Sequence, residues 1–99
     1  MRNDTGGDLG RIKAELSMLV GTRMKVHVNM SRGTMMDRLG VLEETHRNLF
    51  VIKVEEKRDR SRRVSYSYTD ILKKNIELSD MNTDEDLFPW LPRPPDILK

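Results

Sequence analysis

Apolar residues recur along this chain with two periods, and the change of period marks where helix gives way to strand. Over Asp8–Val20, the residues Leu9, Ile12, Leu16, Leu19 and Val20 follow one another at spacings of three, four, three and one, which gathers them on one helical face. Asp8 stands where a side chain can cap the helix N-terminus, and Gly21 stands where a left-handed residue can end it. Arg11, Lys13, Glu15 and Ser17 form the polar face. A lone helix of this length is marginal in water, so it is expected to cover an open edge or end of the structure that follows.

From Arg23 the period becomes two. In Arg23–Asn29, Met24, Val26 and Val28 point one way and Arg23, Lys25 and His27 the other, as in a half-buried strand. Met30–Asp37 reads as a loop or distorted hairpin and Arg38–Thr45 as a second strand, in which Gly40 predicts a bulge or sharp bend. Thr45–Asn48 is a turn, with Asn48 suited to a left-handed conformation. Leu49–Glu55 is a third strand, nearly continuous in apolar residues and therefore buried on both faces. After a charged hairpin tip, Arg63–Thr69 alternates as a fourth strand, Thr69–Leu72 reads as a tight turn or single 3₁₀ turn steadied by Asp70, and Asn75–Ser79 is a short fifth strand. The expected fold is mainly β: a small SH3-like (Sm-like) five-stranded barrel with an N-terminal helix and an extended C-terminal tail. Its expected core is Met24, Val26, Val28, Leu42, Phe50, Ile52, Val54, Ile76 and Leu78.

Charge divides the chain. Residues 1–79 carry 16 Lys and Arg against 11 Asp and Glu, whereas residues 80–99 carry 2 against 5. A helix-capped barrel over 1–79 and an acidic, proline-containing tail over 80–99 are the expected units. Cysteine is absent, which removes disulfides and thiolate metal sites and agrees with a reducing cytoplasm. No apolar h-region follows Met1, and the longest unbroken aliphatic or aromatic run, Leu49–Ile52, is too short to span a bilayer. A cytoplasmic protein without membrane contact is therefore expected. His27 and His46 lie on different elements, and Glu43-Glu44 and Glu55-Glu56 each split across two faces of a strand. No metal site, cofactor or catalytic residue is expected, because no nucleophile motif or phosphate-binding glycine pattern occurs.

Gly40–Thr45, Asn48–Ile52 and Arg63–Leu72, the last reading RVSYSYTDIL, resemble the Veg family, small proteins of Gram-positive, Firmicute-type bacteria associated with stimulation of biofilm formation. The likeness covers roughly Leu9–Leu78. It implies an SH3-like fold and a regulatory role without enzymatic activity, and it carries over no functional positions. The acidic tail lies beyond it.

Two surface features could make contact with partners. Lys57, Arg58, Arg60, Arg62 and Arg63 crowd the hairpin tip, and Arg23 and Lys25 stand on the first strand; clustered cations attract phosphates or an acidic protein surface. Tyr66 and Tyr68 offer a stacking platform, although a core so poor in aromatic residues has a use for them inside. In the tail, Leu87, Phe88, Trp90 and Leu91 are too apolar for a linker, so they either dock on a folded surface or serve as an interaction motif. The chain thus reads as a non-enzymatic regulatory interaction protein with a regulatory protein as partner. The alternative is a nucleic-acid-binding module using the 57–63 hairpin, and a homodimer is compatible with either.

Overall fold

The computed structural model describes residues 4–29, 35–57 and 59–91. In chain order they form α1 (Asp4–Ser17), β1 (Arg23–Asn29), β2 (Met35–Thr45), β3 (Leu49–Glu55), β4 (Ser61–Ser67), α2 (Tyr68–Leu72) and β5 (Ile76–Asp80). The five strands make one antiparallel sheet in the order β4-β3-β2-β1-β5. The fold is mainly β, as expected.

Strand β2 is long because it serves two partners in turn. Its first part, Met35–Val41, pairs with β1, and its second part, Gly40–Thr45, pairs with β3. The handover falls at Gly40, where an added Cβ would lie 2.5 Å from Ile52 Cγ2 and 3.0 Å from the Lys53 carbonyl oxygen. Only a residue without a side chain allows β3 to cross that closely. The register shift comes just after, between Leu42 and Glu44. Gly40 therefore marks the close approach, and the bulge follows it.

The expected closed barrel is not found: among the described residues β4 and β5 are both edges, and the sheet stays open between them. The tail gives the physical reason. Asp80 accepts hydrogen bonds from the Asn82 and Thr83 amides at 2.7 and 2.9 Å, and Asp84 takes a φ of 66°, so the chain reverses. It then runs back along β5: the Asp80 amide donates to the Glu85 carbonyl (2.8 Å), the Leu87 amide to the Leu78 carbonyl (2.9 Å), and Ser79 bridges Asp86. The Asp80 amide and the Leu78 carbonyl, on the edge that β5 would offer β4 in a closed barrel, are thus used by residues 85–87.

One buried cluster joins every element except β4, whose Val64 and Tyr66 pack against it partly buried. Met24, Val26, Leu42, Phe50, Ile52, Val54, Ile76 and Leu78 come from the sheet, Ile12 and Leu16 from α1, Tyr68 and Ile71 from α2, and Phe88 and Leu91 from the tail. Val28 of the expected core is only partly buried. Helix α1 begins by Asp4, so Asp8 lies inside the helix rather than at its cap. It also ends earlier than its apolar pattern, at Ser17, after which Leu19 and Thr22 donate in tight turns to Leu16 and Leu19. Gly21 is left-handed (φ 92°) as expected, but its amide ties to the Leu42 carbonyl of β2 (2.7 Å) instead of closing the helix. The expected 3₁₀ turn is the short α-helix α2, started by a reciprocal cap: the Asp70 amide donates to Ser67 Oγ and the Ser67 amide to Asp70 Oδ2.

Candidate functional site

Strand alternation decides which charges share a face. Lys25 and His27 of β1 lie beside Leu39 and Asp37 of β2, and Ser79 and Glu77 of β5 flank them on the other side. On this face the expected binding cations meet carboxylates. Arg23 grips Glu55 with two bonds, Nε to Oε2 at 2.9 Å and Nη2 to Oε1 at 2.8 Å. Lys25 Nζ lies 3.2 Å from Asp84 of the reversed tail. Arg63 reaches both Glu43 (2.9 Å) and Glu44 (2.6 Å), and on the opposite face of β4 Arg62 Nε lies 3.1 Å from Glu56. These exposed pairs add little stability, but they cancel much of the positive potential that a basic hairpin would present. Lys57 and Arg60 have no ion pair among the described residues. Arg58 lies outside those residues.

Glu44 is held below the ordinary carboxylate value, first by its hydrogen bond with His46 and then by Arg63. Tyr66 and Tyr68 do not form a platform. Tyr68 starts α2 and is buried, its hydroxyl donating to the His46 carbonyl at 2.7 Å, while Tyr66 is half-buried with its ring 5.9 Å from that of Phe50. Burial raises both phenols above their usual value.

A groove opens where β2 leaves β3. Before Gly40, β2 pairs only with β1, and the β3–β4 hairpin overhangs the gap. Met36 and Leu39 line it with apolar surface, Asp37, Glu55 and Glu56 with negative charge, and Arg38, Lys57 and Arg60 with positive charge. Met36 is 38% exposed. The lining thus sets two apolar side chains among three carboxylates and three cations, so no single sign of charge dominates it. The sequence offers Lys57 and Arg60 as charges but gives no sign of the groove, because the groove depends on where β2 changes partner.

His27 brings together a constellation that its sequence neighbours do not suggest. Its Nδ1 lies 2.7 Å from Asp37 Oδ1, and its Nε2 lies 3.1 Å from Ser79 Oγ. Serine hydrolases use this order of contacts. Here, however, Ser79 sits mid-strand and buried, paired with Lys25 on one side and bridged to Asp86 on the other. The amide after it, Asp80, already donates to Glu85. The serine is thus enclosed and the amide that follows it is spent in the sheet, unlike the exposed nucleophile and free adjacent amide of those enzymes. The cluster works as a clasp joining β2, β1 and β5. Among the described residues, no three His, Asp or Glu side chains converge as a metal set, and no helix is long and apolar enough to cross a membrane.

The tail residues meet α1. Phe88 is 1% exposed, Trp90 stands edge-on to it at 6.0 Å, and the indole Nε1 donates to Glu15 Oε1 at 3.1 Å. The Arg11 guanidinium lies over the indole ring, 4.0 Å from its centroid, and also pairs with Glu15 at 2.9 Å. Leu87, Phe88, Trp90 and Leu91 thus all pack on the cluster under α1.

No curated protein matches the chain. The family described as "Biofilm formation stimulator VEG" matches residues 7–79, from the second turn of α1 to the penultimate residue of β5 and short of the docked tail. With most of its 99 residues inside that match, the chain belongs to the Veg family of biofilm formation stimulators.

Proposed function

We propose that the chain is a non-enzymatic regulatory protein of the cytoplasm that stimulates biofilm formation by binding another protein, a regulator, through the groove between β2 and the β3–β4 hairpin. The ion pairing of the basic surface carries this reading. Arg23, Lys25, Arg62 and Arg63 face Glu55, Asp84, Glu56 and Glu43–Glu44. A phosphate backbone would have to displace each carboxylate before gaining its cation, whereas a protein segment with mixed charge and an apolar anchor suits Met36, Leu39, Lys57 and Arg60. Supporting the SH3-like reading of the fold are the β2 strand shared between two partners and the short helix α2 between the last two strands. On this view the sheet is an SH3-like barrel held open by the tail.

Complementation of a deletion strain tests the proposal. A Met36→Glu, Arg60→Glu double variant should keep its circular dichroism spectrum and melting temperature yet leave biofilm mass at the level of the deletion. Full restoration of biofilm by the folded variant would remove the groove as the site of action.

A further inference from the structure

The two edges of the sheet are treated differently. Residues 85–87 cover the edge of β5, while β4 keeps an edge with no strand beside it among the described residues. Its residues Ser61, Arg62, Arg63 and Ser65 are exposed. An uncovered edge is a template for another strand.

Backbone alternation shows which groups are open. The Glu56 amide donates to the Arg60 carbonyl at 2.9 Å, closing the β3–β4 hairpin. Given the register Glu55↔Ser61 to Leu49↔Ser67, the even residues Arg62, Val64 and Tyr66 turn their amides and carbonyls toward β3. The odd residues Ser61, Arg63 and Ser65 turn theirs outward. Ser67 also points outward, but its amide already donates to Asp70 in the cap of α2.

We propose that β4 pairs antiparallel with β4 of a second copy of this chain about a two-fold axis at Val64. The strand is self-complementary in that register. Arg63 of each copy meets Ser65 of the other and exchanges the ladder bonds, Val64 meets Val64, and Arg62 meets Tyr66, whose ring face suits a guanidinium. No two like charges stand opposite each other. Centring the axis one residue earlier sets Arg63 against Arg63, which costs energy; centring it one later puts the capped Ser67 opposite Arg63, inside the ladder, whereas with the axis at Val64 it meets only Ser61, at the ladder's end. Val64 and Tyr66, partly buried at the open side of the core, gain cover from the second copy.

The chain has no cysteine, so single cysteines report the register cleanly. Val64 occupies a non-hydrogen-bonded pair, where Cα atoms lie about 4.5 Å apart, within the disulfide range of about 4.4–6.8 Å. Position 63 faces its own counterpart only diagonally, at about 7–8 Å. With oxidised glutathione, Val64→Cys should form a covalent dimer on a non-reducing gel and Arg63→Cys should not. Sedimentation of the unaltered chain should show a species of twice 11.6 kDa that increases with concentration. Ser65→Pro, which removes an outward amide and leaves the β3 ladder intact, should return the protein to monomer with its fold retained. A monomer at every concentration, cross-linking at 63 instead of 64, or an undiminished dimer in folded Ser65→Pro would each overturn the proposal.

Discussion

Gly40 shows how one missing side chain sets the course of a strand. Its position would force a Cβ to within 3.3 Å of Val54 Cα and closer still to Ile52 and the Lys53 carbonyl. Gly40→Ala should therefore destabilise the fold by about 1–3 kcal/mol, as overpacking does, measured as a lower denaturant midpoint. Ile52, fully buried beneath it, should cost about 2–5 kcal/mol when cut to Ala, a large share of a small domain's stability. Gly40 was legible in the sequence because glycine within a strand pattern is rare. Asn48, expected to be left-handed, is not; Lys74 and Asp84 take positive φ instead, at 64° and 66°. Local hydrogen bonds close those turns, from the Lys74 amide to Ile71 and from the Asp84 amide to Asp80, and residue type alone does not reveal them. Asp80 illustrates the same point. The amides of Thr83 and Asn82 hold its carboxyl below the ordinary 3.8. A depressed folded value means that the contribution is complete above 3.8 and is lost as pH falls through the lower folded value. Asp80→Asn should flatten the acid side of the melting-temperature profile, and an unchanged acid slope would remove that role.

At the scale of elements, α1 is held by packing rather than by its own propensity. Gly7 and Gly10 lie within it, and a Cβ at either would meet nothing within 4 Å. Gly10→Ala should raise stability by about 0.4–1 kcal/mol through the unfolded chain's lost freedom, visible as a higher denaturant midpoint. The helix face Leu9, Ile12 and Leu16 was legible from spacing, and so were the bounds of β1 from its alternation and of β3 from its apolar run; β3 is buried on one face only, however, with Leu49, Lys53 and Glu55 exposed on the other. The start of β2 at Met35 was not, because its residues are not patterned to one face while they pair with β1 alone. The open sheet could not be read either: closure depended on residues 85–87 turning back onto the edge of β5, a reversal that the acidic, proline-containing composition of the tail does not announce. The same holds for the groove, which exists only because β2 changes partner. Phe88→Ala should cost about 3–5 kcal/mol, and Trp90 emission in the native protein should be blue-shifted and protected from quencher. Emission like that of free tryptophan would mean that the tail does not dock in solution.

Across the whole molecule, a net charge of +2 hides a surface on which most of the expected binding cations are already matched. The sequence shows the cations and the carboxylates but not their pairing, because Arg23 with Glu55 and Lys25 with Asp84 are joined only by sheet register and tail reversal. Under the proposed function, this Veg protein acts by protein contact and not by gripping nucleic acid. Fluorescence anisotropy with labelled random-sequence DNA and RNA, from about 50 to about 200 mM salt, tests it most directly. Weak binding, shallow in salt and the same for every sequence, is the expected result. Tight binding to a defined RNA or DNA that falls steeply with salt, and that disappears when Arg60, Arg62 and Arg63 are replaced by Ser, would contradict it.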